Sequence, residues 1–444
     1  MCMAQILRGP LRRALIVERP DSSLDGLLGA AGFDVVRVDA APDEDELVDL
    51  LRTHRSQVLF KRSRVQVTRR VVECSPDLVA IQLCSIGDDS IDKNACAERG
   101  VLVFNDPVSN GRSVVELAIG HLIALSRRLY ETFDDTHAGA WEKSNAERYE
   151  VRGKVLGILG LGNIGRQVAK VATLLGMDVF FFDEREVAQE VGEEMGWRRA
   201  GTAQELFRHS DMVSVHVSAS TPRGKTNEGL LMGLLGQLGA ERPQNSPRVF
   251  VNLARGFLHA PEELLEAIDS GAIRRAAVDV YPAEPNKNGP GWENPYASEP
   301  RVATTPHIGA ATQEAQPRIA RRVAQTQRNF STAGSIRDCV FSPRSKISVA
   351  DGNGGRAVLL VVHSTARGTK KALDEAIYEA GASNLRSQHR DLGPWGIAVD
   401  ANLLDRPLST EQLDSIVQLT RSITGDPLAV RLVRQVELTD QDSP

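Results

Sequence analysis

The sequence predicts an α/β protein of two doubly wound parallel-sheet domains followed by a small α+β module. Three observations carry that expectation. Short β-branched runs alternate with amphipathic stretches from about residue 14 to residue 111. The alternation resumes from Lys154 to about Gly309, opened by a glycine fingerprint. The last stretch then reads β-α-β-β-α-β within about 80 residues. Alternation of this kind builds mostly parallel sheets covered on both faces.

In the first domain, residues 14–17, 34–38, 57–60, 79–82 and 101–104 read as strands, with helices over 44–52 and 91–99. Ser113-Val-Val-Glu116 has the form of a capping box opening a long helix, and Val114, Leu117, Ala118, Leu122 and Leu125 form its apolar stripe. Residues 313–330 read as another long helix. The run SPRSKISVADGNGG ending at Gly355 has linker composition. Strands over 357–362 and 430–436 bracket helices over 370–380 and 410–423 in the terminal module. The expected domains are 13–109 with 310–345, then 110–309, a linker at 346–355, and the module at 356–437. No internal repeat or low-complexity tract interrupts them.

Composition excludes several function classes. The chain has 444 residues, which at roughly 150 per domain suggests about three domains. With 41% apolar residues, 25% charged residues and a net charge of −5, it is not a general nucleic-acid or membrane-surface binder. Cys2, Cys74, Cys84, Cys96 and Cys339 form no CxxC or Cys/His ligand spacing, so they read as free thiols in a reducing compartment, with no metal site. No run approaches 18 apolar residues. The N-terminus MCMAQILRGPLRR is too short and polar for a signal segment, and the terminal Asp-Ser-Pro is no peroxisomal address, so the cytoplasm is the expected location.

The segment Lys154-Val-Leu-Gly-Ile-Leu-Gly160-Leu-Gly162-Asn163-Ile164-Gly165 follows a strand and opens a helix. Gly160 suits the tight turn, Gly162 lets backbone approach a pyrophosphate, and Gly165 allows close helix–strand packing. The helix N-terminus offers free N–H groups and positive dipole to the phosphates. Asp183, eighteen residues beyond Gly165, can accept the adenosine ribose hydroxyls and repels a 2′-phosphate, so the expected cofactor is NAD. Arg185 stands close enough to soften that preference.

Downstream, three segments end predicted strands: Asn252-Leu-Ala-Arg255-Gly, Asp279-Val-Tyr-Pro-Ala-Glu284-Pro and Thr305-Pro-His307-Ile-Gly309. Strand C-terminal ends line the ligand crevice of doubly wound folds. A guanidinium, a carboxylate and an imidazole there suit oxidation of a 2-hydroxy acid. Arg255 would grip the carboxylate through paired N–H donors, His307 would take the hydroxyl proton, and Glu284 would orient and tune the imidazole.

In these motifs the chain resembles the D-2-hydroxyacid dehydrogenase family, and within it the phosphoglycerate dehydrogenases that carry a C-terminal ACT-like domain. The likeness implies a Rossmann NAD domain inserted in a flavodoxin-like substrate domain, with substrate held between them. It also implies that Asp279 meets the nicotinamide carboxamide, while Leu253, Ala254, Ile308, Gly309 and Ala310 line that end of the cofactor. After the strand 57–60 comes Lys61-Arg62-Ser63-Arg64. On its own this is equally a solvated basic loop or a phosphate-binding set. The resemblance implies a phosphate pocket at Arg62, Ser63 and Arg64, with Ser85, Ile86, Gly87 and Asn110 also lining substrate.

The implied reaction is NAD-dependent oxidation of 3-phospho-D-glycerate to 3-phosphohydroxypyruvate, the first step of L-serine synthesis. A glyoxylate or hydroxypyruvate reductase of the same family, and an NAD-sensing corepressor resembling the C-terminal-binding proteins, stay open as alternatives. Trp141 and Lys143 match a segment that reaches a partner subunit in relatives, implying a homodimer or homotetramer. His363 and Asn384 match an amino-acid effector site, but Thr365 and Ala366-Arg367-Gly368 depart from its pattern. His259 stands where relatives usually carry Asp or Asn; the other histidines read as structural or surface residues.

Overall fold

The computed structural model describes residues 4–221, 225–285, 289–343, 345–351 and 354–438. They fall into two compact units, one of Met1–Pro107 with Gln316–Pro444 and one of Val108–Ala315. Cys2 and the terminal Asp-Ser-Pro lie outside the described residues.

The first unit contains two main sheets. One is parallel, in the order Asp34–Val38, Arg13–Val17, Val58–Lys61, Ala80–Leu83, Leu102–Phe104. Its central strands are buried on both faces and mostly apolar, as in parallel sheets covered on each side. Helix Glu44–Thr53 starts at a true capping box, in which Asp43 accepts from the Glu46 N–H at 2.9 Å and Glu46 accepts in return. The other sheet is the C-terminal module. Strands Ala357–Ser364, Asn384–Asp391, Ile397–Leu404 and Val430–Glu437 alternate with helices Thr369–Glu379 and Thr410–Thr424 in the expected βαββαβ order. Gln5–Arg8 joins as a fifth strand, parallel to Val430–Glu437. The basic N-terminus is therefore sheet edge.

The module is packed into this unit. Alternate residues of its strands face opposite ways. Leu359, Val361 and Leu404 pack under the two helices, while Val358, Leu360, Val362, Val399 and Leu403 join the core of the parallel sheet. Arg434, fully buried on the last strand, donates to the Phe330 carbonyl at 2.7 Å and to that of Ser331, with its guanidinium 4.9 Å from the Phe330 ring. It thereby adds side-chain donors at the end of helix Ala315–Ala333, where the Phe330 carbonyl also accepts the Gly334 N–H at 3.2 Å. The stretch 346–355, expected as a linker, begins as strand Lys346–Ile347 against Ile336–Arg337, because Ile347 and Val349 bury their side chains.

The second unit holds one parallel sheet, ordered Val302–Thr304, Arg275–Val278, Val249–Asn252, Met212–Val215, Val155–Leu159, Asp178–Phe182, Arg198–Arg199. The strand order reverses between Val155–Leu159 and Met212–Val215. That switch point opens the crevice where such sheets take ligands. The helix expected to start at a Ser113 box starts earlier, as Gly111–Ser126. Ser113 instead shares a hydrogen bond with Thr312 Oγ1 at 2.9 Å, and Glu116 pairs with Arg112. Both partners draw the side chains away from the helix end, so the box does not form. Among the described residues no helix is long and apolar enough to cross a membrane.

Phe330 is fully buried, with its ring centroid 5.1 Å from that of Phe104 and Arg434 on it. Phe330→Ala should therefore destabilise the first unit by about 3–5 kcal/mol, as for other deeply buried aromatics. The first unit's transition in urea denaturation followed by tryptophan fluorescence tests this; an unshifted midpoint contradicts the joint core.

Candidate active site

The glycine turn is built as its sequence requires. Gly160 has φ +91°, and a Cβ there would lie 2.8 Å from the His216 carbonyl oxygen. A Cβ on Gly165 would lie 2.1 Å from the Gly160 oxygen, so helix Asn163–Leu174 packs on the strand only through glycine. Gly162 differs: its backbone is extended, and a Cβ would meet nothing nearer than Arg185 at 3.9 Å. Protein packing does not demand glycine there, and the open space lies before the helix N-terminus, where N–H groups can meet an anion. Asn163 and Ile164 form the first turn of that helix.

Asp183 follows strand Asp178–Phe182, as expected, and is buried. Its Oδ2 accepts the Leu161 N–H at 2.8 Å and Arg185 Nη2 at 2.6 Å; its Oδ1 accepts Arg185 N and Nε, both at 2.9 Å. Burial alone would raise this carboxyl, but the Arg185 fork and the two backbone donors outweigh it and hold the pKa below the usual range. The carboxylate is thus ionised and ready to accept, while the forked Arg185 stands beside it.

The three strand-end segments meet in one unit. Arg255 follows strand Val249–Asn252, Glu284 lies beyond Arg275–Val278, and His307 lies beyond Val302–Thr304. These strands are neighbours, so their C-terminal ends stand side by side. His307 Nδ1 and Glu284 Oε2 are 2.7 Å apart, and Glu284 Oε1 accepts the Tyr281 N–H at 3.1 Å. The Glu284 hydrogen bond raises the His307 pKa above the ordinary imidazole value; burial opposes it, while the charges of Glu284 and Asp279 add to it. The Arg255 cation is near enough to act on both groups, lowering each. With Nδ1–H committed to the carboxylate, Nε2 is the nitrogen left to exchange a proton with a substrate.

Asp279 organises the loop beyond the next strand. Its buried carboxylate accepts Thr305 Oγ1 at 2.6 Å, the Ile308 N–H at 2.8 Å and the Gly309 N–H at 2.8 Å. It thereby ties down the loop on which His307 sits in the left-handed region, at φ +55°. These bonds commit both carboxylate oxygens to the loop. Leu253 and Ala254 are buried at the end of their strand, Ile308 is exposed beside Gly309, and Ala310 is half-buried.

Several positioning residues escaped sequence reasoning. Asn252, fully buried, accepts from the Ala254 N–H and donates to the Arg255 carbonyl, each at 3.0 Å, which sets the turn into Arg255. A Cβ on Gly256 would lie 2.0 Å from the Tyr281 carbonyl carbon, so only glycine brings the Arg255 turn so near the Glu284 segment. Tyr281 donates to the Thr305 carbonyl at 3.0 Å and stacks edge-on against Trp292, which in turn donates to the Ala283 carbonyl. Asn252, Gly256 and Tyr281 stand within the strand-end motifs, but their spacing alone does not show these contacts. His259 is buried edge-on against Phe250 and bonded to the Ala260 carbonyl at 3.0 Å, with its pKa lowered by burial. His216 is pushed down to about 4 by burial. Both are structural.

The basic loop lies in the other unit. Lys61 is fully buried and donates to Ser90 Oγ at 2.6 Å and to the Arg62 carbonyl; burial pushes it down to about 8 against the opposing charge of Glu18. Glu18 was missed. Its carboxylate accepts the backbone N–H groups of Arg62, Arg64 and Val65, so the loop wraps around it. Ser63 and the Arg64 side chain are exposed and Arg62 is half-buried. Ser85 donates to the Gly87 carbonyl, and Asn105 holds the Ile86 carbonyl at 2.7 Å. Asn110 belongs to the second unit, and its Oδ1 is buried without a hydrogen-bond partner among the described residues. His363 and Asn384 lie on the C-terminal sheet, Asn384 donating to Asn402 at 2.8 Å.

Residues 119–309 match the family model described as "D-isomer specific 2-hydroxyacid dehydrogenase, NAD binding domain". The chain is 34% identical over 379 residues to a D-3-phosphoglycerate dehydrogenase of Escherichia coli strain K12, covering 84% of this chain and 87% of that one. It is 33% identical over 374 residues to a D-3-phosphoglycerate dehydrogenase of Haemophilus influenzae, covering 84% and 86%. Among solved structures, a glyoxylate reductase from Paecilomyes thermophila superposes with a TM-score of 0.63 at 23% identity, over 74% of this chain and 98% of that one. The fold and the NAD-binding domain are therefore those of dehydrogenases.

The contrast between the glycines is testable. Gly162→Val should leave unfolding free energy within about 0.5 kcal/mol of wild type while weakening NADH binding roughly tenfold or more, a loss of about 1.4 kcal/mol. Gly165→Ala should instead lower stability by about 1–3 kcal/mol through overpacking. NADH fluorescence titration and urea unfolding of both variants check this; undiminished NADH affinity in Gly162→Val means the phosphates bind elsewhere.

Proposed function

The chain belongs to the D-2-hydroxyacid dehydrogenase family, and from that premise we propose that it oxidises 3-phospho-D-glycerate to 3-phosphohydroxypyruvate with NAD, as the first step of L-serine synthesis. The observation that carries the reading is the 2.7 Å contact between His307 and Glu284 within the field of Arg255. The names of the relatives and the basic Arg62-Ser63-Arg64 loop support the phosphorylated substrate.

NAD, when bound, supplies the carbon that accepts the hydride. Arg255 grips the substrate carboxylate with paired donors, which orients the 2-carbon. His307 Nε2 takes the hydroxyl proton as the C–H bond breaks. The resulting imidazolium is stabilised by the Glu284 carboxylate, which also holds the ring in the Nδ1–H tautomer. Asp279 keeps the His307 loop in place through the Thr305, Ile308 and Gly309 donors. Arg62 and Arg64 offer forked donors to a phosphate dianion. Because Glu18 already consumes the N–H groups of Arg62, Arg64 and Val65, the side chains rather than the backbone provide that recognition.

His307→Ala should lower kcat by roughly 10²–10⁴-fold, the usual worth of a positioned acid–base group; near-normal turnover removes His307 from proton transfer. The pH profile gives a sharper check. Oxidation requires neutral His307, so its acid limb follows a pKa raised by Glu284. Glu284→Gln removes the raising contact, so the acid limb of kcat/KM should move to lower pH, and an unmoved limb contradicts the pairing. The decisive assay follows NADH absorbance with 3-phosphohydroxypyruvate against glyoxylate and unphosphorylated hydroxypyruvate, with and without L-serine. Arg62→Ala and Arg64→Ala should each raise KM for the phosphorylated acid alone. Unchanged KM, or preference for an unphosphorylated acid, overturns the substrate assignment while leaving the reaction class intact.

A further inference from the structure

We propose that the C-terminal module binds a divalent first-row transition-metal ion, Zn2+ by preference, through His363 Nε2, His389 Nδ1 and a carboxylate oxygen of Asp400. The three residues come from three adjacent strands, Ala357–Ser364, Ile397–Leu404 and Asn384–Asp391, with the Asp400 strand in the middle. Register places His389 opposite Asp400, and His363 opposite Ala398, one diagonal step away. Their ligand atoms lie within 4.8 Å of one another. His363 and Asp400 are buried, while the His389 side chain is 41% exposed and leaves a way in from solvent.

The hydrogen-bond geometry turns the three donor groups toward one another. His363 Nδ1 is 2.8 Å from the Ser364 carbonyl oxygen, which can only accept, so that nitrogen carries the proton. The Nε2 of a neutral ring then turns a lone pair toward Asp400 Oδ2 at 2.6 Å. Two acceptors that close need a positive centre between them, either a second proton or a metal ion. His389 Nδ1 approaches the same oxygen at 3.1 Å, so a single ion there would meet all three atoms. Ligands on a zinc ion sit about 2.0–2.2 Å from it, so the 2.6 Å His363–Asp400 pair must open to admit the ion, and His389 on its edge strand can adjust to it.

The surroundings also suit a metal. The Ser364 carbonyl fixes the His363 tautomer, as carbonyls do for ligating imidazoles. Lys370 Nζ, 3.2 Å from the other oxygen Oδ1, orients the carboxylate and has Asp374 as a second partner. Two nitrogens and one oxygen favour zinc-like ions over magnesium or calcium. Three protein ligands leave the fourth position of a tetrahedral ion for water or a small anion.

The full chain, stripped with EDTA and dialysed, is titrated with Co2+ by visible absorption and with Zn2+ by equilibrium dialysis. We expect one ion per chain in wild type, and in His137→Ala, which alters an exposed histidine of the other unit. We expect affinity to fall roughly tenfold or more in His389→Ala and Asp400→Asn. His389 lies on an exposed edge strand, so its variant separates ligand loss from unfolding, and circular dichroism confirms the fold. No bound ion in wild type, or wild-type affinity in His389→Ala, overturns the proposal and leaves a hydrogen-bonded cluster only.

Discussion

The active-site unit depends on one buried carboxylate. Asp279 ends the sheet in a position closed to water, where an unsatisfied charge would be costly. It satisfies itself on Thr305, Ile308 and Gly309, all from the loop beyond the next strand. Those bonds hold His307 in a backbone conformation that a non-glycine residue seldom adopts. The strain is tolerated because the loop is pinned on either side of it, and the imidazole is thereby delivered to Glu284. His307 is thus placed by a carboxylate whose own oxygens are committed to the loop.

The other two members of the set depend on close backbone approach. Gly256 lets the Arg255 turn lie against the Tyr281 backbone, and Asn252 sets the turn from within. Tyr281 and Trp292 brace the Glu284 segment from its outer side. The electrostatics follow from that geometry. Glu284 raises His307, while the Arg255 cation opposes that rise and helps to hold Glu284 low.

The first unit shows a different economy. Its basic loop is shaped from inside by Glu18 and Lys61, two buried charges that arrange the backbone under Arg62 and Arg64. The C-terminal sheet spends one face on the shared core and the other under its own helices. The polar residues His363 and Asp400 lie on the helix-facing side, where His389 of the edge strand reaches them. Arg434 connects the last strand to the end of helix Ala315–Ala333.

Much was legible in the chain itself, because it depends on local order. The β-α alternation, the spacing from Gly160 to Asp183 and the three strand-end motifs are short-range patterns whose chemistry travels with the residues. Contacts between distant segments could not be read that way. Ser113 and Glu116 satisfy a capping pattern on paper, yet Thr312 and Arg112 take their side chains. Glu18 lies more than forty residues from the loop it organises, Gln5–Arg8 finds its strand partner at the far end of the chain, and no local spacing links His363, His389 and Asp400. The sequence by itself determined which chemistry is available and in which order along the chain. Only the tertiary structure decided which carboxylate serves which partner, because burial makes each polar group seek whatever donor the packing brings near, regardless of distance in sequence.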